Sequence, residues 1–250
     1  MQIAARNLIQ FSGEDSPVAT FWGLTFTANE PGVVVNMAKV GSPDPVTLEY
    51  STDAENWNTF DADGGTTPIT LANAGDKVYF MAGASGNTAL STDYNNYRHF
   101  TLSKSCSASG NIMSLMTRDE ADWQSVQMAN HCYSNMFNGC TSLTSAPELP
   151  ATTLASFCYS YMFQDCTSLT SAPELPATTL AYYCYHYMFQ GCTSLTSVEV
   201  AFTDWNASLY STYNWLQGVA SNGTFSCPSA LGTTRRDASH VPSGWTVVNT

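Results

Sequence analysis

Residues 132–155 read "CYSNMFNGCTSLTSAPELPATTLA", residues 158–181 read "CYSYMFQDCTSLTSAPELPATTLA", and a third copy opens at Cys184 with "CYHYMFQGCTSLTS". Cys132, Cys158 and Cys184 are 26 residues apart, as are Cys140, Cys166 and Cys192, and 140–155 recurs letter for letter at 166–181. A fixed period between about 20 and 50 residues marks a stack of units, each burying its apolar face against its neighbours.

Each unit has two halves. "CYSYMFQDC" places Cys158, Met162, Phe163 and Cys166 at i, i+4, i+5 and i+8, a one-sided pattern that predicts a short helix. "TSLTSAPELPATTLA" spaces Leu169, Leu175 and Leu180 widely and carries two prolines, which exclude a helix and a long strand and predict a short strand followed by a turn. The unit is expected to be a strand-plus-helix coil stacked sideways. "STYNWLQGV" at 211–219 aligns with "CYHYMFQGC" at 184–192 after one inserted residue, as a degenerate fourth unit, and "NIMSLMT" at 111–117 is a candidate first strand. End units that drift from the consensus are expected of caps.

The repeat "MFxGCTSLTSAPELPATTLA", with its lead-in "CYxYMF", resembles the BspA-type class of bacterial leucine-rich repeats, and its period lies in the range of about 20–29 residues for such repeats. The resemblance covers residues 106–250, including the closing "FTDW…GTF…GWTVVN" segment. It implies a short leucine-rich-repeat solenoid of 26-residue units over 106–200 and a degenerate repeat with a C-terminal cap over 201–250. The class occurs in bacterial surface proteins and in bacteriophage or prophage structural proteins, and it serves adhesion and display. The resemblance therefore implies a non-enzymatic virion surface protein, a head or tail fibre or decoration protein. The alternative it leaves is a secreted or cell-surface bacterial adhesin.

The cysteines have three readings. In a helix an i,i+8 pair lies about 12 Å apart along the axis, whereas a disulfide needs Cα atoms within about 7 Å. Stacked helices about 8–10 Å apart serve no better, and each column holds an odd thiol. Zinc needs closely spaced ligand pairs converging on one point, and two parallel rows of cysteines do not converge. The structural ladder Cys132, Cys158, Cys184 and Cys140, Cys166, Cys192 is therefore read as small apolar filler. Free buried thiols suit assembly in a reducing cytoplasm, as does the lack of a visible export signal in "MQIAARNLIQFSGEDSP".

Residues 20–105 differ in texture. "FWGLTFTANE", "GVVVNMAKV", "VTLEYSTD", "KVYFMAG" and "YRHFTLS" are short β-branched and aromatic runs between turn residues. That rhythm predicts an antiparallel, Ig-like β-sandwich. Asp53, in "EYSTDAENW", is read as a turn residue rather than a calcium ligand. Residues 1–19 are expected to form an anchoring arm that, with the β-domain, contacts other virion proteins or further copies of the chain, a trimer among the options.

Composition narrows the partners. Eight basic against 20 acidic residues give a net charge of −12, which repels nucleic acid. No stretch approaches the roughly 20 apolar residues of a membrane helix. The four histidines are scattered, and no nucleophile elbow, phosphate loop or H-E-x-x-H motif occurs. No cofactor or metal is expected. Glu148 and Glu174 share a phase, but duplication explains them and their third counterpart is Val200. The remaining feature is a surface. Copied units differ mainly at Ser134/Ser160/His186, Asn135/Tyr161/Tyr187 and Asn138/Gln164/Gln190, and Tyr182 and Tyr183 precede the third unit. Tyr and Asn recognise partners at low entropic cost, so Tyr161, Tyr187, His186, Asn135, Gln164 and Gln190 form the candidate face toward a host glycan or protein. Tyr133, Tyr159 and Tyr185 either share that role or pack between units.

Overall fold

The computed structural model describes residues 21–63, 68–123, 125–206 and 209–250; the expected arm at 1–19 lies outside them. The chain is β-rich with almost no helix. Its strands are β1 (Thr25–Ala28), β2 (Val33–Val40), β3 (Leu48–Ser51), β4 (Asn58–Phe60), β5 (Ile69–Leu71), β6 (Lys77–Ala82), β7 (Tyr97–Leu102), β8 (Cys106–Ser109), β9 (Ser197–Glu199), β10 (Thr224–Cys227) and β11 (Thr246–Asn249). The helical content among the described residues is two short 3₁₀ turns, Ile112–Leu115 and Glu120–Asp122.

The first eight strands form two antiparallel sheets, ordered β4-β3-β6-β1-β8 and β5-β2-β7. β2 alternates buried and half-buried residues along most of its length, as a strand with one covered face must. The sheets meet through aromatic rings: Phe26 of β1 and Phe80 of β6 lie 4.8 and 5.1 Å from Phe100 of β7.

The expected helix at the start of each repeat is absent, and a ridge of linked turns replaces it. Within the first unit the N–H groups of Ser134, Met136, Asn138 and Cys140 donate to the carbonyls of His131, Tyr133, Asn135 and Phe137, three residues back. The intervening N–H groups of His131, Tyr133, Asn135, Phe137 and Gly139 instead cross to the carbonyls of Ser156, Cys158, Ser160, Met162 and Gln164 in the next unit, at 2.8–3.0 Å. An α-helix sends every N–H to its own chain four residues back, so it cannot make these cross-links. Each unit keeps its chain of turns by taking every fourth residue left-handed: 131, 135 and 139 in the first, 157, 161 and 165 in the second, 183, 187 and 191 in the third. A repeat of four places Cys132, Met136 and Cys140 on the inside as well as a period of 3.6 would, which is why the apolar pattern predicts a helix.

The same bonding ties the third unit to residues 209–217: Tyr183, Tyr185, Tyr187, Phe189 and Gly191 donate to Leu209, Ser211, Tyr213, Trp215 and Gln217. Left-handed Tyr210, Asn214 and Gly218 complete a fourth coil that carries one inserted residue. Beyond it, Leu216 N–H donates to the Ala238 carbonyl and the Trp215 indole to that of His240, closing the end.

The proline-bearing halves pair selectively. The first unit binds β8, with Thr144 and Glu148 N–H donating to Cys106 and Gly110 and Ala108 N–H donating to Ser145. The second binds β9, with Ala172 and Leu175 donating to Ser197 and Glu199, and β9 continues into a parallel sheet with β10 and β11. Among the described residues no backbone hydrogen bond joins 142–150 to 168–176. Pro147, Pro150, Pro173 and Pro176 remove donors on both sides of that seam, leaving a groove of about 250 Å³ lined by these prolines with Glu148 and Glu174. Each proline-bearing half thus has one proline-free neighbour to bond.

Residue 106 is a junction, since β8 pairs with β1 on one side and with the first unit on the other. Leu90 and Phe100 N–H donate to the carbonyls of Cys132 and Met136, as Tyr133 and Phe137 do to the second unit, so the β-domain imitates a preceding coil. One hydrophobic core runs throughout. Its axis is a file of rings, Phe100–Phe137–Phe163–Phe189, with centroids 5.2–5.7 Å apart and planes within 19°.

The left-handed ridge has a testable signature. Asp165 has φ +59 in a column otherwise held by Gly139, Gly191 and Gly218. Asp165→Gly is expected to raise stability by about 1 kcal/mol, because a β-carbon is penalised there; in a helix the same change would lower it by about 0.3 kcal/mol, since Gly lies only slightly below Asp in helix propensity. Thermal unfolding of the variant decides between the signs.

Candidate functional site

The left-handed residues line the outer edge of the ridge in three columns. One column holds Gly139, Asp165, Gly191 and Gly218, three of them glycines, which adopt positive φ freely. A second holds Asn135, Tyr161, Tyr187 and Asn214, and a third His131, Phe157, Tyr183 and Tyr210, all with φ between 46 and 63. A bulky side chain in this region is a genuine outlier costing about 1–2 kcal/mol. Stacking offsets part of it. The rings of His131, Phe157, Tyr183 and Tyr210 follow one another at 4.5, 4.9 and 5.4 Å with planes within 20°, and each such pair contributes about 0.5–1.5 kcal/mol. Tyr161 and Tyr187 stack at 5.2 Å.

Beside these columns runs an amide ladder. Asn138 Nδ2 donates to Gln164 Oε1 at 2.8 Å, Gln164 Nε2 to Gln190 Oε1, and Gln190 Nε2 to Gln217 Oε1. Gln164 and Gln190 are therefore engaged in holding coil to coil. Asn135 and His186 are buried, at 5% and 9% exposure. Asn135 donates to Ser134 Oγ. His186 lies edge-on to Tyr161, Tyr183 and Tyr187 at 4.3–5.2 Å and parallel to Tyr213 at 5.6 Å. Burial pushes its pKa down to about 4, so it is a neutral ring at the centre of the cluster. Of the six candidate residues, four are half-buried and reach the surface: Tyr161 and Tyr187 as rings, and Gln164 and Gln190 with their amides engaged in the ladder.

Tyr133, Tyr159 and Tyr185 pack between units: they are buried and stacked at 5.8 and 6.2 Å. Tyr133 Oη donates to the Ile112 carbonyl, whereas buried Tyr159 Oη has no hydrogen-bond partner. The surface rings that the sequence left unassigned are Phe157, Tyr210 and Tyr213. Their signal was faint, because Tyr210 and Tyr213 belong to the degenerate fourth unit. With Tyr182 they give three strongly exposed tyrosines on one face, at 43%, 51% and 42% for Tyr182, Tyr210 and Tyr213. No Lys or Arg lies between Arg118 and Arg235, while Asp119, Glu120, Asp122, Glu148, Asp165, Glu174, Glu199 and Asp204 do. The face is aromatic and hydroxyl-bearing, and exposed Asp165 stands in the neighbouring left-handed column.

All eight cysteines are buried with free thiols. The second column also donates hydrogen bonds one coil back: Cys140 to the Phe100 carbonyl, Cys166 to Phe137 and Cys192 to Phe163, at 2.9–3.1 Å. Each thiol is thus filler and a weak donor. Among the described residues no group of three His, Cys, Asp or Glu side chains is placed to hold a metal. The Asp53 carboxylate accepts from Ser51, Glu55 and Asn56. Those bonds, the one from the Asn56 backbone N–H first, hold its pKa well below the usual carboxylate range, as befits a turn residue. Among the described residues no helix is long and apolar enough to cross a membrane. No protein-family model matches the chain, and neither a curated protein nor a solved structure matches it.

Burial sets a pH window. It pushes Cys106, Cys184 and Cys192 up to about 12 and raises Cys132, Cys140, Cys158, Cys166 and Cys227 as well. Unfolded thiols ionise near pH 8.5. Above that pH the unfolded chain binds fewer protons than the folded one, so stability falls by up to about 1.4 kcal/mol per thiol per pH unit. Burial lowers His99, His131 and His186, so stability falls again as pH drops below about 6.5, where the unfolded imidazoles take up protons. The midpoint of thermal unfolding is expected to be highest between about pH 6.5 and 8.5 and to drop steeply on the alkaline side. The thiols are expected to resist a thiol reagent until the chain is denatured, when all eight react. A flat profile through pH 10, or prompt labelling of the native protein, contradicts this packing.

Proposed function

We propose that the chain is a non-enzymatic surface protein of a bacteriophage particle, a head or tail fibre or decoration protein, that presents the outer face of its repeats to a host-surface glycan or protein. In this reading the N-terminal sheets are an Ig-like β-sandwich, the stacked units are a BspA-type leucine-rich-repeat solenoid, and the β-domain with residues 1–19 contacts other virion proteins. The carrying observation is the aromatic face itself. Phe157, Tyr183 and Tyr210 occupy left-handed positions where Gly or Asn would be easier to accommodate, and sparsely populated backbone states cluster at functional sites. A face repeated along one chain and displayed in many copies turns weak contacts into firm attachment. The buried free thiols favour assembly in a reducing cytoplasm, and so a particle over a secreted adhesin of the same repeat class.

Mass spectrometry of purified particles, the cell envelope and the supernatant of the source culture tests the assignment. Recovery in the particles at a constant ratio to the other structural proteins is expected. Recovery in the envelope or the supernatant makes the chain an adhesin instead.

A further inference from the structure

Exposure on the face is concentrated at its C-terminal end. Of the large apolar side chains that are strongly exposed among the described residues, Tyr182, Tyr210 and Tyr213 belong to the third and fourth coils, while Trp22, Val40, Tyr94 and Val248 lie in other elements. The three tyrosines are linked by ring contacts. Tyr182 meets Tyr183 at 4.4 Å with planes at 79°, Tyr183 stacks on Tyr210 at 5.4 Å, and Tyr210 meets Tyr213 at 6.3 Å with planes at 73°. Tyr213 lies over His186 and stands at 81° to Tyr187. The rings therefore present two nearly perpendicular orientations side by side, a corner rather than a flat stripe. Tyr210 ends its column, covered on one side by Tyr183.

The corner is rigid. Tyr183 and Tyr210 are held at φ +53 and +49, their backbones are pinned by the Tyr183 N–H to Leu209 carbonyl bond, and the rings behind them are packed. A preformed site loses little entropy when it is filled, and a tyrosine combines an apolar ring with a polar tip. A sugar ring is complementary to both parts, since its C–H face is apolar and its rim carries hydroxyls.

Charge selects among saccharides. The repeats carry no Lys or Arg from Asp119 to Thr234, and they hold Asp165, Glu199 and Asp204; in the segment that covers the fourth coil, Arg235 is paired with Asp237 and Arg236 donates to the Trp245 carbonyl, so both cations are already engaged. A polyanionic glycan would meet repulsion with no compensating ion pair. We propose that the corner formed by Tyr182, Tyr183, Tyr210 and Tyr213 is a docking site for an uncharged polysaccharide. This rests on the attachment reading above and names its ligand class and its location.

Native gel electrophoresis of the full chain through gels containing an uncharged polymer (dextran, mannan, galactan or xylan, each in turn) or dextran sulfate tests it. At least one uncharged polymer is expected to retard the protein, with little change between about 0.05 and 0.5 M salt. The variant Tyr182→Ser/Tyr210→Asn/Tyr213→Ser is expected to lose at least about tenfold in affinity while its thermal midpoint stays within about 4 °C, because Asn suits the left-handed backbone at 210. A single Tyr210→Asn variant, with a smaller loss of retardation, stands in if the triple variant is less stable. Migration unaffected by every uncharged polymer overturns the proposal, as does retardation by dextran sulfate alone or retardation that persists in both variants. So does a wild-type dimer that becomes monomeric in the variant without any retardation, which makes a second copy the occupant. Particle localisation is measured separately, so a virion protein without retardation loses this inference alone, and a retarded protein recovered in the envelope or the supernatant loses the virion reading alone.

Discussion

The structure depends on how the ridge divides its backbone donors. Alternate N–H groups close turns within a unit, and the others cross to the next one. That division fixes the spacing between units at the distance of a hydrogen-bonded neighbour, close to the 4.7–4.9 Å of a β-sheet. At that spacing identical side chains fall directly above one another. The flat stacks of Phe137, Phe163 and Phe189, the amide ladder and the thiol-to-carbonyl bonds all follow from it. Helices stacked about 8–10 Å apart could support none of these.

A stack built this way must end somewhere, and its exposed end would present a row of unpaired backbone groups and apolar rings. The N-terminal sheets close one end by supplying matching chemistry. Leu90 and Phe100 donate where a coil would donate, β8 offers a strand where a coil would offer one, and Phe100 begins the file of rings. At the other end the segment around Ala238 and His240 covers the fourth coil. The prolines divide the other wall into pairs, so the seam between the first two units is held by the ridge and the rings.

Much of this was legible in the letters. The 26-residue period, the two inward cysteine columns and the inserted residue in the fourth unit each leave a local trace in composition or spacing, whereas the short strand expected in each unit forms only in the third, as β9, the first two proline-bearing halves holding isolated bridges. The helix was misread because Cys158, Met162 and Cys166 fit a repeat of four as well as a repeat of 3.6. The clue was Asn135 and Gly139 four residues apart, the residue types that tolerate left-handed backbone, but Tyr161 and Tyr187 hide it in the other copies. His186 was expected on the surface and lies inside, because the column it shares with Ser134 and Ser160 faces inward; Asn135 belongs to the outer column of Tyr161 and Tyr187, but its shorter side chain is buried and bonded to Ser134 and Asn138. The imitation of a coil by Leu90 and Phe100 leaves no local trace, since it resides in backbone bonds to residues some 40 positions away.

The two letter-for-letter copies have an evolutionary corollary. On the ridge every junction uses the same bonds and the same stacked rings, so a slip during replication that adds or drops one 26-residue cassette repeats a contact already made there, whereas on the other wall an added cassette is a proline-bearing half with no proline-free neighbour to bond. Repeat number is therefore free to change on the ridge and constrained by the proline wall, while the C-terminal segment that closes the fourth coil stays the same.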